Sequence, residues 1–305
     1  MNIFRKAAYR IKKKFFKKLI ILCYHRIKDY TLDPNNITVS EKNFNNHLLW
    51  LSKYSKIIDP SYLSEYMSGK KEFPNRSVLL TFDDGYFSDS KTTKIMEKYN
   101  AKGIFFISNS EKRFYWDILT DAILKPRRIL DSDYDILNVL MKYLEQKIDI
   151  EIELGSTEMR ESNKWKMNDE NFPNNRCKAF KAICSSFNNL NHYHDYKPFK
   201  ILQELSSAAI NDYVPNKSLI QNQSIGSHTK NHYKLSNLNK TDQENEILGN
   251  LNYLKSYKEN IEYFAYPFGQ KSCYNHTTIH IVKEKFKFAF SNFQGLVHKH
   301  TNPYE

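Results

Sequence analysis

The sequence predicts an α/β protein built on a parallel sheet or barrel. Three observations carry this. Continuous apolar runs such as "SVLLTF" and "GIFFI" lack the polar alternation of a half-exposed strand, so they suit strands buried on both faces. Other segments repeat their apolar residues at the helical period. The two kinds alternate along most of the chain, which is the order of βα units.

The elements follow in sequence. "LIILCYH" (Leu19 to His25) reads as the first strand. "EKNFNNHLLWLSKY" (Glu41 to Tyr54) reads as a helix with Phe44, Leu48 and Leu51 on one face. "SVLLTFDD" (Ser77 to Asp84) is the next strand, "SDSKTTKIMEKYN" a helix, and "AKGIFFIS" (Ala101 to Ser108) another buried strand. Across residues 111–221 the rhythm breaks into helical patterns, among them "DILNVLMKYLEQK" and "RCKAFKAICSSF". This stretch is read as a helical insertion between core strands. "SIGSH" (Ser224 to His228) resumes the strands. A helix from about Lys240 to Tyr257, the strand "EYFAYPFG", a helix through "TTIHIVKEK" and the strand "FKFAFSN" complete the order. The expected organisation is a basic segment, residues 1–18, followed by one domain over residues 19–305 that carries the insertion.

A chain of 305 residues that is 40% hydrophobic can bury a sizeable core. The formal charge of +12 suits an acidic partner. Much of it lies in residues 1–18, where Arg5, Lys6, Arg10, Lys12, Lys13 and Lys14 interleave with Ile3, Phe4, Ala7, Ile11 and Phe15. Such a helix either lies on an anionic membrane or docks its apolar stripe on the domain. No recognition motif follows the charge, so nucleic acid is not an expected partner. "LIILCY" is too short for a signal-peptide core or a membrane span. The expected location is therefore the cytoplasm, with peripheral contact at the inner membrane surface. Cys23, Cys177, Cys184 and Cys273 show no C-x-x-C spacing, so neither a disulfide framework nor a zinc ribbon is indicated.

Asp83 and Asp84 stand side by side at the end of a buried strand, where like charges repel and desolvation is costly. His228 and His232 lie four residues apart, a spacing that puts both on one face of a helical turn. In a parallel α/β sheet the carboxyl ends of the strands converge on one side. Asp84, His228 and His232 can then form a two-histidine, one-carboxylate metal site, with Asp83 beside it as a base. A cation there offsets the repulsion between the aspartates. Thr229 stands where the H-E-x-x-H pattern needs glutamate, so that zinc-protease chemistry is not indicated. His276 and His280 share the spacing without a carboxylate pair and read as surface or packing residues. The pairs His192/His194 and His298/His300 read as solvated.

These residues resemble the polysaccharide deacetylase family, the NodB-homology carbohydrate esterases. The family's first motif, T-F-D-D-G, stands as Thr81 to Gly85, and its second is similar to "SHTKNH", with His228 and His232. "FAYPFG" (Phe264 to Gly269) looks like the third motif, and "CYHRI", "AKGIFFIS" and "FKFAFSN" look like family strands. The resemblance implies a distorted (β/α) barrel of about seven parallel strands. It also implies removal of acetyl from an N-acetylated sugar in a polysaccharide or lipid-linked glycan. One divalent metal ion is implied, zinc first, with cobalt, nickel or iron as the others.

Residue by residue, the resemblance implies Asp84, His228 and His232 as metal ligands and Asp83 as general base. The backbone N–H of Phe268 would hold the oxyanion. His25, Tyr86, Tyr266 and Pro267 are candidates to line the substrate pocket, and Thr81 and Ser227 to frame the site. Three departures stand out. Ala265 occupies the position where relatives carry an arginine that orients the base, and Phe268 replaces a tyrosine. The late histidine that protonates the leaving amine has no clear counterpart, so His298 or His300 is expected to stand in. The C-terminus also reads as short of a closing strand. A second reading follows from these: a catalytically impaired or truncated, deacetylase-like carbohydrate-binding protein.

Overall fold

Strand β5 (Ser77–Phe82) is buried at every residue, as its unbroken apolar run requires. The computed structural model describes residues 17–30, 32–86, 91–109, 114–124, 162–190, 199–200 and 222–305. Residues 1–16, the "DILNVLMKYLEQK" segment, His192 and His194 lie outside the described residues.

β1 (Leu19–Tyr24) runs parallel along the whole of β5, from Leu19 opposite Ser77 to Tyr24 opposite Phe82. The short β4 (Lys56–Ile57) and β6 (Gly103–Ile107) therefore share the other edge of β5. Next come β7 (Ser224–Ser227), β8 (Tyr263–Ala265) and β9 (Phe288–Phe290), each parallel to its neighbour. The result is a seven-stranded sheet in the order β1-β5-β6-β7-β8-β9, with β4 beside β5. Two further short strands, β2 (Arg26–Ile27) and β3 (Thr38–Val39), lie outside it. The sequence places β8 and β9 correctly but reads both as longer than they are.

The sheet curls. Leu19 of β1, Leu79 of β5, Ile104 and Phe106 of β6, Tyr263 and Ala265 of β8 and Phe288 of β9 share one buried cluster. Strands from opposite ends of the order can meet in one core only if the sheet wraps around it. Helices cover the outer face: α1 (Glu41–Tyr54), α2 (Leu63–Met67), α3 (Lys91–Lys98), and later α6 (Lys240–Leu254) and α7 (His276–Lys285). In α1 the Ser40 hydroxyl accepts from Asn43 N–H as the N-cap, and Phe44, Leu48 and Leu51 form the buried face as expected.

Gly226 in the middle of β7 is required by the packing inside the curl. A Cβ there would lie 2.4 Å from the Phe106 ring. Gly226→Ala is expected to destabilise the protein by about 1–3 kcal/mol through overpacking. A lower denaturant midpoint at unchanged slope is the check.

After β9 the chain returns to β1. Leu19 and Val297 exchange both backbone hydrogen bonds, each 2.9 Å, as a single antiparallel bridge. The C-terminus was expected to be short of a closing strand, and what joins the tail to β1 is this one residue pair. Ala289 N–H donates to Pro303 O at 2.8 Å and holds the tail across β9. Above the bridge a cavity of about 220 Å³ remains along the seam, lined by Leu19, Ile21, Cys23, Phe288, Phe290 and Val297, among others.

The chain divides into two units: Met1–Lys28, Val39–Asn109 and Val214–Glu305 in the first, and Asp29–Thr38 with Ser110–Tyr213 in the second. The curled sheet belongs to the first. In the second, α4 (Tyr115–Leu119) continues into a π-helical turn, Thr120–Leu124, and α5 (Asn175–Asn189) follows. Asn174 caps α5 by accepting from Cys177 N–H, and Tyr115 stacks on Phe187 with ring centroids 5.1 Å apart. Among the described residues this unit holds no strand besides Thr38 of β3. The "RCKAFKAICSSF" pattern forms its helix where the sequence places it.

Candidate metal centre

Because every strand pair in the sheet is parallel, the carboxyl ends of β1, β5, β7 and β8 point the same way. Asp83 and Asp84 follow β5, His228 follows β7, and Phe268 follows β8. Asp84, His228 and His232 are all buried, with 5%, 2% and 4% exposure. One oxygen, Asp84 Oδ1, lies 3.3 Å from His228 Nε2 and 3.2 Å from His232 Nε2. Ligand atoms of the three residues fall within 4.8 Å of one another.

Two backbone carbonyls hold His228 in place. His228 N–H bonds to Ile107 O at 3.0 Å, and His228 Nδ1 lies 2.9 Å from Ala265 O. Only a protonated Nδ1 can donate to that carbonyl, which turns Nε2 toward the site. Ala265 thus contributes through its backbone, although it brings no arginine toward Asp83. Asp83 Oδ1 is buried and makes no hydrogen bond among the described residues.

The histidine spacing was read as a helical turn, and here the structure differs. β7 ends at Ser227, and a loop follows in which Thr229 (φ 63°) and His232 (φ 57°) are left-handed. His232 N–H donates to Thr229 Oγ1 at 3.1 Å. The loop, not a helix, brings the two rings to 4.9 Å between centroids. Asp84 (φ 70°) and Phe268 (φ 62°) are left-handed as well. Left-handed backbone is unusual for residues with a side chain and tends to gather at functional sites.

Helix α6 locks this loop. Glu246 accepts from Asn231 N–H at 2.7 Å and from Asn231 Nδ2 at 2.6 Å. Asn250 Nδ2 donates to Ile107 O and to Ser227 Oγ, both at 2.8 Å, and Asn250 Oδ1 accepts from Asn109 N–H at 3.0 Å. Ser108 Oγ donates to Thr229 O at 3.0 Å. The sequence reading missed Glu246, Asn250 and Ser108. Their signal was polar residues, Gln243, Glu246 and Asn250, on the same buried stripe of α6 as Ile247, Leu251 and Leu254. Asn250→Ala is expected to weaken metal retention about 10–100-fold, read by competition with a chelator.

The electrostatics suit a cation. Burial pushes the Asp84 carboxyl up, but hydrogen bonds from the two imidazoles outweigh it and hold Asp84 well below the usual carboxylate range. Burial pushes His228 down, and the bond to Asp84 with the charge of Asp83 raises it above its ordinary value. For His232 burial prevails, and its pKa stays below the ordinary value. An ionised carboxylate and two buried imidazoles form a donor set of the kind that binds zinc and its neighbours. The residues fit the implied metal ion.

The remaining expected residues divide. His25 lies beside Asp83: together with Cys23, their ligand atoms fall within 4.8 Å of one another. Tyr86 lines the same small pocket as His25 and Asp83, and the Arg26 guanidinium lies 4.4 Å over its ring. Phe268 packs its ring edge-on against His232, centroids 4.7 Å apart. Thr81 and Ser227 are buried strand residues beneath the site.

Tyr266 is a correction. Its ring is buried against Tyr274, centroids 4.0 Å apart, and its hydroxyl donates to Tyr304 O at 3.0 Å, so it belongs to the wall and not to the pocket. Pro267 beside it is also buried. His298 and His300 are a second correction. Both are exposed and follow Val297, which is bridged to Leu19 at the amino end of β1. The site lies at the carboxyl end, six residues further along β1, or roughly 20 Å away. Neither can protonate a group held there. His280 lies on the surface of α7, 3.5 Å from Glu284, away from any metal cluster among the described residues.

Comparison with known proteins places this geometry in context. The sequence model of the family described as "Polysaccharide deacetylase" matches residues 70–127 and 215–285, which hold Asp83, Asp84, His228, His232 and Phe268. The Bacillus subtilis (strain 168) protein YxkH, provisionally described as a polysaccharide deacetylase, is 32% identical over 92 residues. That stretch is 30% of this chain and 32% of YxkH, so the match spans about a third of that relative. Among solved structures, the Streptococcus pyogenes deacetylase PplD in complex with acetate aligns over 94% of this chain and 88% of its own, at 17% identity and a TM-score of 0.51. IcaB from Ammonifex degensii aligns over 94% and 89%, at 16% identity and a TM-score of 0.52. At these identities the structures speak for the fold alone. The family match falls on both motif-bearing stretches, which together make up less than half of the chain, and the parallel curled sheet brings those motifs together, so over these stretches the chain is similar to the polysaccharide deacetylase family.

Proposed function

We propose that this protein is a metal-dependent hydrolase that removes the acetyl group from an N-acetylated sugar in a polysaccharide or lipid-linked glycan. The observation that carries the reading is the Asp84–His228–His232 cluster, with Asp83 and His25 next to it. Zinc is the first choice of metal for two histidines and a carboxylate, with cobalt, nickel or iron as replacements. A divalent cation held by the three residues supplies positive charge that polarises the amide carbonyl and acidifies water.

The chain's own residues do the rest. Asp83 takes a proton from the attacking water, and its free Oδ1 is the atom for it. The N–H of Phe268, on the turn that packs against His232, donates to the oxygen that becomes negative. His25 takes the acid role assigned above to the tail histidines and delivers a proton to the amine nitrogen as the C–N bond breaks. The products are acetate and a free amino sugar. The basic segment 1–18 suits a substrate or membrane surface of negative charge. Among the described residues no helix is long and apolar enough to cross a membrane.

The test is acetate release from N-acetylglucosamine oligomers and lipid-linked glycans by protein loaded with zinc, cobalt or nickel. Stoichiometric metal without release from any of them would sink the hydrolase reading and favour a carbohydrate-binding role. His25→Ala is expected to lower hydrolysis about 10²–10⁴-fold at unchanged metal content. The loss should shrink on an activated acetyl ester whose leaving group needs no proton. An equal loss on both substrates would assign His25 a structural role.

A further inference from the structure

Beside the Asp84 cluster lies a second set of metal-binding groups that the proposed reaction does not require as ligands. Cys23, His25 and Asp83 offer a sulfur, an imidazole nitrogen and a carboxylate oxygen, all within 4.8 Å of one another. Their closeness follows from the sheet. Cys23 pairs with Thr81 across the β1–β5 ladder, so His25 and Asp83, each two residues on, project from the same face beyond it. Asp83 Oδ1 is a buried oxygen with no hydrogen-bond partner among the described residues. Cys23 is exposed and borders the seam cavity between β1 and the tail, which gives an ion a way in. In a tetrahedral zinc site, ligand atoms sit roughly 3.3–3.8 Å apart, so small side-chain rotations close this set around an ion.

We infer that Cys23, His25 and Asp83 form a second, inhibitory site for zinc or a similar thiophilic divalent cation. Sulfur in the donor set selects such ions over magnesium or calcium. Binding there converts the thiol to a thiolate and releases its proton to solvent. It also occupies the carboxylate and the imidazole that move protons in the proposed hydrolysis. The inhibition rests on that reading; the binding does not. The protein would then need one metal ion and be silenced by a second.

Cobalt(II) titrated into the metal-free protein tests the binding without using the reaction. The wild type is expected to take up two ions per chain, the second bringing a sulfur-to-cobalt charge-transfer band in the near ultraviolet. Cys23→Ser should take up one ion and lack the band. Zinc beyond the first equivalent should also slow alkylation of Cys23 in the wild type, with the buried Cys177, Cys184 and Cys273 as internal controls. This arm decides the matter if the variant folds poorly. A second ion bound without the band, or retained by Cys23→Ser, overturns the site. Where hydrolysis is measurable, excess zinc should inhibit the wild type, and Cys23→Ser should need at least about tenfold more. Equal inhibition of both overturns the regulatory role, whereas two ions with the sulfur band and no hydrolysis on any glycan would leave the site standing and sink only the hydrolase reading.

Discussion

Asp84→Ala should leave a protein that folds but no longer holds the ion of the Asp84–His228–His232 site, with hydrolysis reduced by a factor of about 10³ or more. The expectation rests on one atom. Asp84 Oδ1 lies within 3.3 Å of both Nε2 atoms, so it is the oxygen the two histidines share. Two imidazoles left alone supply neither the negative charge that attracts a dication nor a third ligand. Elemental analysis of the purified variant, beside wild type grown in the same medium, is the check. Metal content equal to that of the wild type would mean that the ion sits elsewhere.

Asp83→Asn should show the opposite pattern: metal retained, and kcat lowered about 10²–10⁴-fold. The amide keeps the shape of the carboxylate and cannot accept a proton. The neighbouring charge also disappears, which removes one of the influences that raise His228. Tighter or unchanged metal binding with lost turnover separates this role from that of Asp84. Turnover that survives the substitution would remove Asp83 from the mechanism.

Much of this was readable before any coordinates. The β5 and β6 runs carry no polar alternation, and a strand covered on both faces needs none. The Asp-Asp-Gly and Ser-His segments end two such strands, and parallel pairing then brings their chemistry to one rim. The sequence misleads where a residue's direction depends on pairing and register. Tyr266 sits one residue after Ala265, which faces the interior cluster, so strand alternation turns its ring the other way. His298 and His300 are carried to the far rim by the Leu19–Val297 bridge, a long-range contact that no local pattern announces. His25 was visible only as a strand-end residue. Its partnership with Asp83 depends on the register of β1 against β5.

The left-handed residues around the site carry a further consequence. Asp84, Thr229, His232 and Phe268 hold a backbone conformation in which glycine would be more comfortable. Such residues cost on the order of 1–3 kcal/mol each, and Thr229 is branched at Cβ, which makes its position the least favourable. Glu246 accepting from Asn231 N–H, Ser108 donating to Thr229 O and Asn250 donating to Ser227 Oγ hold the turn that carries Thr229 and His232. The rim of this barrel is therefore sprung. A sequence optimised for thermal endurance alone would put glycine at these turns and lose the side chains that make the site, so durability and placement pull against each other at the same four residues.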